Sequence, residues 1–191
     1  MHRLSIAVMW KHLGKILLLG AVLLTCAGLA IRKIDADDPS LKLVGYDLEY
    51  RNEPATGIVY SLFLNWHPKQ LYFLWQGKRV GKEFIWYDNG NLMAVYSYGD
   101  GLPDGDWKMW HEDGSVKSLK RYDKGVIDGE SWGWHANGQI SDYNLYSKGE
   151  EITHKSWVFD GKPYYNYVYQ NGKKIGLIGG EFCKRLEILK K

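Results

Sequence analysis

The stretch GDGLPDGDWKMWHEDG, residues 99 to 114, places several carboxylates among glycines and is the first candidate for chemistry. Alternating acidic residues and glycines are how a chain wraps oxygen ligands around Ca²⁺. A calcium loop that starts at Asp100 requires an oxygen donor at its third position and a glutamate at its twelfth, but Leu102 and His111 stand there. The stretch therefore fails as a calcium site, and its glycines need another explanation.

Histidine and cysteine are the next candidates. His111 and His135 are 24 residues apart and occupy the same place in consecutive repeats. In successive hairpins they would lie about 9.6 Å apart, too far to share one zinc ion. Cys183 is a possible reactive thiol, although it has no histidine or second cysteine beside it. The sequence has no P-loop and no His-Glu-x-x-His pair, and we expect no catalytic residue, metal or cofactor.

The charge of the chain argues against nucleic acid as a partner. Its 25 basic residues nearly balance its 22 acidic residues, and the two signs are interspersed. Nine Trp, 14 Tyr and five Phe supply a large apolar surface. Other proteins, rather than nucleic acid or a small-molecule substrate, are the expected partners.

An apolar run near the N-terminus is the strongest targeting signal. Residues 13 to 31, LGKILLLGAVLLTCAGLAI, contain Lys15 as their one charge, and a helix of this length rises about 28 Å, close to the thickness of a bilayer core. Basic residues before the run favour a single pass through a bacterial inner membrane, with a cytoplasmic N-terminus and a periplasmic repeat domain. A cleaved signal peptide and a lipoprotein signal with Cys26 as the acylated residue remain alternatives.

A repeat of 24 residues organises the chain after residue 56. The first unit lacks the tryptophan and the tyrosine of the others, and the last unit is displaced by one residue. Such a period indicates an array of similar supersecondary units. The recurring residues are Gly57, Gly81, Gly105 and Gly129; Gly77, Gly101, Gly125 and Gly149; Trp86, Trp110 and Trp134; and Tyr98, Tyr122 and Tyr146.

Each unit has the pattern of a β-hairpin. Six-residue aromatic segments such as KEFIWY are followed by DNGN, EDGS or ANGQ, and Asn-Gly or Asp-Gly predicts a two-residue type I′ turn. Strict alternation would place Trp86 with Ala94, Tyr96 and Tyr98 on one face, as part of an aromatic ladder. The opposite face would carry a mixed set of residues that includes Glu83.

The unit G-x(4)-W-[YH]-x-[ND]-G-x-[LVI]-x(5)-Y-x-x-G-x(3)-G, read from 81 to 105 and again from 105 to 129, resembles the MORN repeat, in particular its bacterial variant. The resemblance implies an all-β fold, an elongated single antiparallel sheet of tandem β-hairpins, preceded here by one transmembrane or signal helix. It implies a scaffold rather than an activity. The predicted organisation is an anchor or signal at 1–33, a linker and first strand at 34–56, five repeats at 57–80, 81–104, 105–128, 129–151 and 152–176, and a capping tail at 177–191.

Together these features predict a non-catalytic, membrane-anchored interaction scaffold, an accessory subunit or assembly factor of a membrane or envelope complex. The mixed face is the predicted partner surface. Two alternatives stay open: an antitoxin or immunity-type inhibitor of a cognate toxin, and a peripheral lipid-binding module. The predicted contact residues are Ile85, Tyr87, Trp107, Met109 and His111.

Overall fold

The computed structural model describes residues 31 to 177, and this part of the chain is all-β, as the repeats predicted. None of its elements is a helix that could span a bilayer. Residues 1 to 30, with Cys26 and nearly all of the predicted anchor, lie outside the described residues, as does Cys183. The strands are β1 (Lys33–Asp35), β2 (Leu41–Val44), β3 (Asp47–Tyr50), β4 (Glu53–Pro54), β5 (Gly57–Leu62), β6 (Pro68–Trp75), β7 (Lys78–Trp86), β8 (Leu92–Gly99), β9 (Leu102–Pro103), β10 (Gly105–Trp110), β11 (Val116–Asp123), β12 (Val126–Ile127), β13 (Gly129–Trp134), β14 (Ile140–Ser147), β15 (Glu150–Trp157), β16 (Pro163–Gln170) and β17 (Lys173–Leu177).

One sheet contains 14 of these strands, and nearly all of them follow one another as hairpins. The exception is β1, which runs parallel to β5. The prediction of a purely antiparallel sheet is therefore wrong at this edge, and the sheet is mixed. A parallel pair needs a connection that crosses over, and here that connection holds β2, β3 and β4, which form a separate three-stranded sheet.

The small sheet packs on the first hairpin of the large sheet and closes a hydrophobic core. The amide of Leu48 donates to the carbonyl of Gly77, and the amide of Gly77 donates to the carbonyl of Ala55, both at 2.8 Å. A Cβ on Gly77 would lie 3.0 Å from the Cβ of Asp47, so glycine permits this close approach. Residues 34 to 56 thus form a cap on the array. The core residues are Ile34, Tyr50, Ala55, Val59, Tyr72 and Leu74.

The turns are of two kinds, and the sequence assigned the type I′ turns to the wrong end of the hairpins. In the large sheet, turns with two consecutive positive φ angles, as type I′ requires, follow β6, β8, β11, β14 and β16, for example Asp100 (49°) and Gly101 (82°). At the predicted turns only the glycine has positive φ, for example Gly114 at 87°. The carboxylate of Asp113 instead accepts hydrogen bonds from the hydroxyl (2.6 Å) and amide (2.8 Å) of Ser115, which hold the pKa of Asp113 below its ordinary value. This closes a type I turn followed by a glycine bulge.

A bulge beside each of these turns decides which residues share a face. Ile85 pairs with Ala94, but the next residue, Trp86, pairs with Leu92, so Met93 is an extra residue in β8. Directly paired residues have their side chains on the same face, and a shift of one residue exchanges the faces. The predicted ladder of Trp86 with Tyr96 and Tyr98 is therefore wrong, because the tryptophans and the tyrosines lie on opposite faces.

Candidate interaction surfaces

Three of the five predicted contact residues lie on one face of the sheet. Ile85 and Met109 pair with Ala94 from its two sides and leave Ala94 fully buried. Trp107 lies two residues before Met109 in β10 and pairs with the exposed Lys120. We call this side the tyrosine face, because it also carries Tyr96, Tyr98, Tyr122 and Tyr146.

Trp107 is the centre of an aromatic cluster on the tyrosine face. Its ring centroid lies 4.3 Å from that of Tyr96, 4.7 Å from that of Tyr122 and 5.6 Å from that of Tyr98. Its indole Nε1 donates to the carbonyl of Ser97 at 3.0 Å. Trp107 is half-buried, so it joins β8 to β11 and keeps part of its surface exposed to solvent.

The other two predicted contact residues, Tyr87 and His111, lie at strand ends and link successive hairpins. The Tyr87 hydroxyl donates to the carbonyl of Trp110 at 3.0 Å. His111 Nε2 lies 3.0 Å from the carbonyl of Trp134, and His135 repeats this contact at 2.8 Å with the carbonyl of Trp157. These side chains therefore join each hairpin to the next one. Between residues 31 and 177, no group of three His, Cys, Asp or Glu side chains is placed to hold a metal ion.

A buried charge marks the border between the cap and the open part of the tyrosine face. Glu83 is 2% exposed, accepts a hydrogen bond from Gln70, and its Oε2 lies 3.9 Å from a guanidinium nitrogen of Arg79. The Arg79 guanidinium lies 4.7 Å from the ring centre of Tyr72, in the core under the cap, and 5.6 Å from that of Tyr98. Burial, together with the negative charge of Glu83, raises the pKa of Tyr98 to about 12. The ion pair of Glu83 and Arg79 thus connects the strands under the cap with the uncovered strands.

The opposite side, which we call the tryptophan face, carries Trp86, Trp110 and Trp134. The alternation also places Phe84 and Trp132 here, each stacked on the tryptophan two residues later. An apolar groove of about 530 Å³ opens on this face between the second and third of these tryptophans. Val116, in its wall, remains 47% exposed. The groove is lined by Lys108, Trp110, Ser115, Val116, Ser118, Leu119, Trp134 and Gly138.

The groove is the feature that reasoning from the sequence missed. The 24-residue repeat identifies Trp110 and Trp134, but strict alternation places them in the same ladder as the tyrosines. One extra residue after each turn, Lys117 in β11 and Ser141 in β14, places the tryptophans and the tyrosines on opposite faces. This extra residue is seen only once the pairing register is known.

The chain was also compared with known proteins. No protein-family model matches it, and no curated protein matches it. The resemblance to the MORN repeat rests on the quoted residues and remains a prediction.

Proposed function

We propose that the repeat sheet is a non-catalytic protein-interaction scaffold of the MORN type, and that its partner binds the tyrosine face around Ile85, Trp107 and Met109. The observation that carries this proposal is that the cap covers the first hairpin and leaves the later strands of the sheet uncovered. The three-stranded sheet packs on the first hairpin, around Tyr72 and Leu74. In the described part of the chain, β8 to β17 pair with one another and have no second sheet over them.

The chemistry of this face supports a protein partner. Trp, Tyr and Met are enriched in the centres of protein interfaces, while charged residues are more frequent at the rim. Trp107 and Met109 are both half-buried, so each keeps a part of its surface for a partner. Lys120, which pairs with Trp107, is exposed and supplies a polar neighbour. Trp107 is pre-organised by its neighbours, which lowers the entropy lost on binding.

We further propose that residues 13 to 31 hold this scaffold at a membrane, where it serves as an accessory subunit or assembly factor. The support is the apolar composition and the length of that segment. A single anchor followed by an interaction surface adds contacts to a membrane complex without adding chemistry.

The test is the recovery of partners from membranes by the tagged full-length chain, solubilised in mild detergent. Lys120→Glu changes the rim of the tyrosine face at an exposed position and is expected to reduce recovery of the specific partner at least fivefold. Lys117→Glu is the matched control, because it makes the same charge change at an exposed position of the same strand. Equal recovery by the two variants contradicts the assignment of the face.

The identity of the partner separates the proposal from its alternatives. A subunit of a membrane or envelope complex supports the scaffold. A toxin whose effect the chain neutralises supports the inhibitor instead. Association of residues 34 to 191 with protein-free liposomes, unchanged by Lys120→Glu, supports the lipid-binding module instead.

A further inference from the structure

The turn of the first hairpin differs from the equivalent turns at one position. In five hairpins the fourth turn residue donates its amide to the carbonyl of the first, at 2.8 to 3.0 Å. That fourth residue is glycine in four of them, with φ between 79° and 87°, but it is Trp66 in the first, with φ of 67°. A bulky residue in the left-handed region is disfavoured, so this tryptophan is an outlier that calls for an explanation. The four glycines are Gly90, Gly114, Gly138 and Gly161.

Packing against the residues that the structure describes, 31 to 177, does not explain Trp66. Its side chain is 62% exposed, and Leu64, in the same turn, is 103% exposed. A Cβ built on the equivalent Gly90 or Gly114 would meet no atom within 4 Å, so this turn position faces open space. The turn therefore displays two large apolar side chains. The equivalent positions of the other hairpins carry a glycine in place of Trp66, and Asp88, Glu112, Ala136 or the 60% exposed Phe159 in place of Leu64. We call residues 63 to 67 the apolar tip.

The apolar tip is held in place by its neighbour. Asn65 Nδ2 donates to Asp88 Oδ1 at 2.6 Å, and His67 Nδ1 lies 3.1 Å from the carbonyl of Asp88. Asn65 Oδ1 accepts the amide of His67 at 3.0 Å. A fixed loop that displays an aromatic side chain loses little entropy on binding, and tryptophan is the residue type most often found at interaction hot spots.

The same chain carries a surface of matching chemistry. The groove on the tryptophan face is apolar, and its volume of about 530 Å³ can hold side chains of this kind. It opens at the same end of the sheet as the tip, because its lining includes Ser115 and Gly138, which belong to the equivalent turns. Lys108 is the one charged residue among the described residues that line the groove, and its Nζ lies 3.5 Å from the carboxylate of Asp106. An exposed ion pair of this kind is weak, so Lys108 can also meet Asp88, the carboxylate beside the tip of a second copy.

We propose that Leu64 and Trp66 of one copy of this chain insert into the groove of a second copy. A bilayer is a poorer occupant for the tip, because the next two turns carry Asp88, Glu112 and Asp113, which anionic lipid repels. A contact between two different surfaces leaves one free tip and one free groove, so copies would link into rings or chains. The proposal does not depend on the proposed function, which uses the tyrosine face.

The test is photo-cross-linking in cells that express the full-length chain with two different tags. A benzophenone amino acid replaces Trp66 in one copy, and irradiation is expected to join it to the other copy. The cross-linked peptides are expected to contain groove residues between 108 and 138. Val116→Asp in the receiving copy is expected to reduce the yield at least tenfold. Val126→Asp is the matched control, because Val126 is 43% exposed and lies outside the groove.

A mixing experiment separates loss of binding from loss of fold. Trp66→Gly removes the larger of the two inserted side chains and keeps the groove, whereas Val116→Asp blocks the groove and keeps the tip. Each variant alone is expected to remain a monomer in mild detergent by sedimentation, and a mixture of the two is expected to restore a one-to-one complex. A wild-type chain that stays monomeric, a mixture that does not associate, or cross-links to lipid or to another protein alone would overturn the proposal.

Discussion

Glu83→Leu is expected to destabilise the junction between the cap and the array. Glu83 is 2% exposed and faces Arg79, whose Nε is buried and has no hydrogen-bond partner among the described residues. Removing one partner of a buried ion pair costs about 3–5 kcal/mol. The Arg79 side chain is 36% exposed, so water compensates part of this loss, and we expect a cost of roughly 2–3 kcal/mol.

The double variant Glu83→Leu with Arg79→Met separates the charge from the packing. It removes both charges and keeps apolar stems, so its stability is expected to return to within about 1 kcal/mol of the wild type. Urea unfolding of the full-length chain, followed by tryptophan fluorescence, gives the free energies. Hydrogen exchange of amides in β7 and β8 shows whether the loss is local, as expected for an array of repeats. A single variant that loses less than about 1 kcal/mol, or a double variant no more stable than the single, refutes the reasoning.

Four further variants test other features of the sheet. The pKa of Tyr98 is raised to about 12, so the folded state keeps a proton that the unfolded state loses near pH 10. The contribution of Tyr98 to stability is full below pH 10, and the free energy of unfolding falls by roughly 1–2 kcal/mol towards pH 12. Tyr98→Phe should reduce this fall, as measured by urea unfolding at a series of pH values. Gly114→Ala should destabilise by about 1 kcal/mol because φ is 87°, whereas Trp66→Gly should leave the melting temperature unchanged or raise it, since it relieves the same strain. Asn137→Ala loses the bond from Nδ2 to the carbonyl of Phe159 at 3.0 Å and should cost about 1 kcal/mol, seen as faster exchange in the two turns it joins.

The repeat predicted the strands well, because glycine spacing and aromatic alternation are local signals. Strands β7, β8, β10 and β11 lie where the 24-residue frame placed them. The faces were predicted wrongly, because one extra residue per hairpin exchanges them, and alternation alone does not reveal a bulge. The turn type was predicted wrongly because the Asp113 side chain bonds to Ser115, which favours a type I turn over type I′.

The cap was beyond local reasoning for a different reason. Residues 34 to 56 are polar and carry two prolines, which is typical of a linker. Their strands are stabilised by contacts distant in sequence, such as those of Tyr50 and Ala55 with Val59 and Leu74. Of the predicted contact residues, Ile85, Trp107 and Met109 share a face, while Tyr87 and His111 hydrogen-bond to the next hairpin. Their contact with a partner stays a prediction.

The most direct test of the scaffold is the recovery of its partner by chains that differ only on the tyrosine face. Wild type, Lys120→Glu, Lys117→Glu and Trp107→Ala are compared in one experiment, with melting curves to identify any variant that unfolds. The account predicts that Lys117→Glu retains the same membrane-complex subunit as the wild type, while Lys120→Glu and folded Trp107→Ala lose at least four fifths of it. Recovery of that subunit at wild-type levels by all three variants would contradict the account.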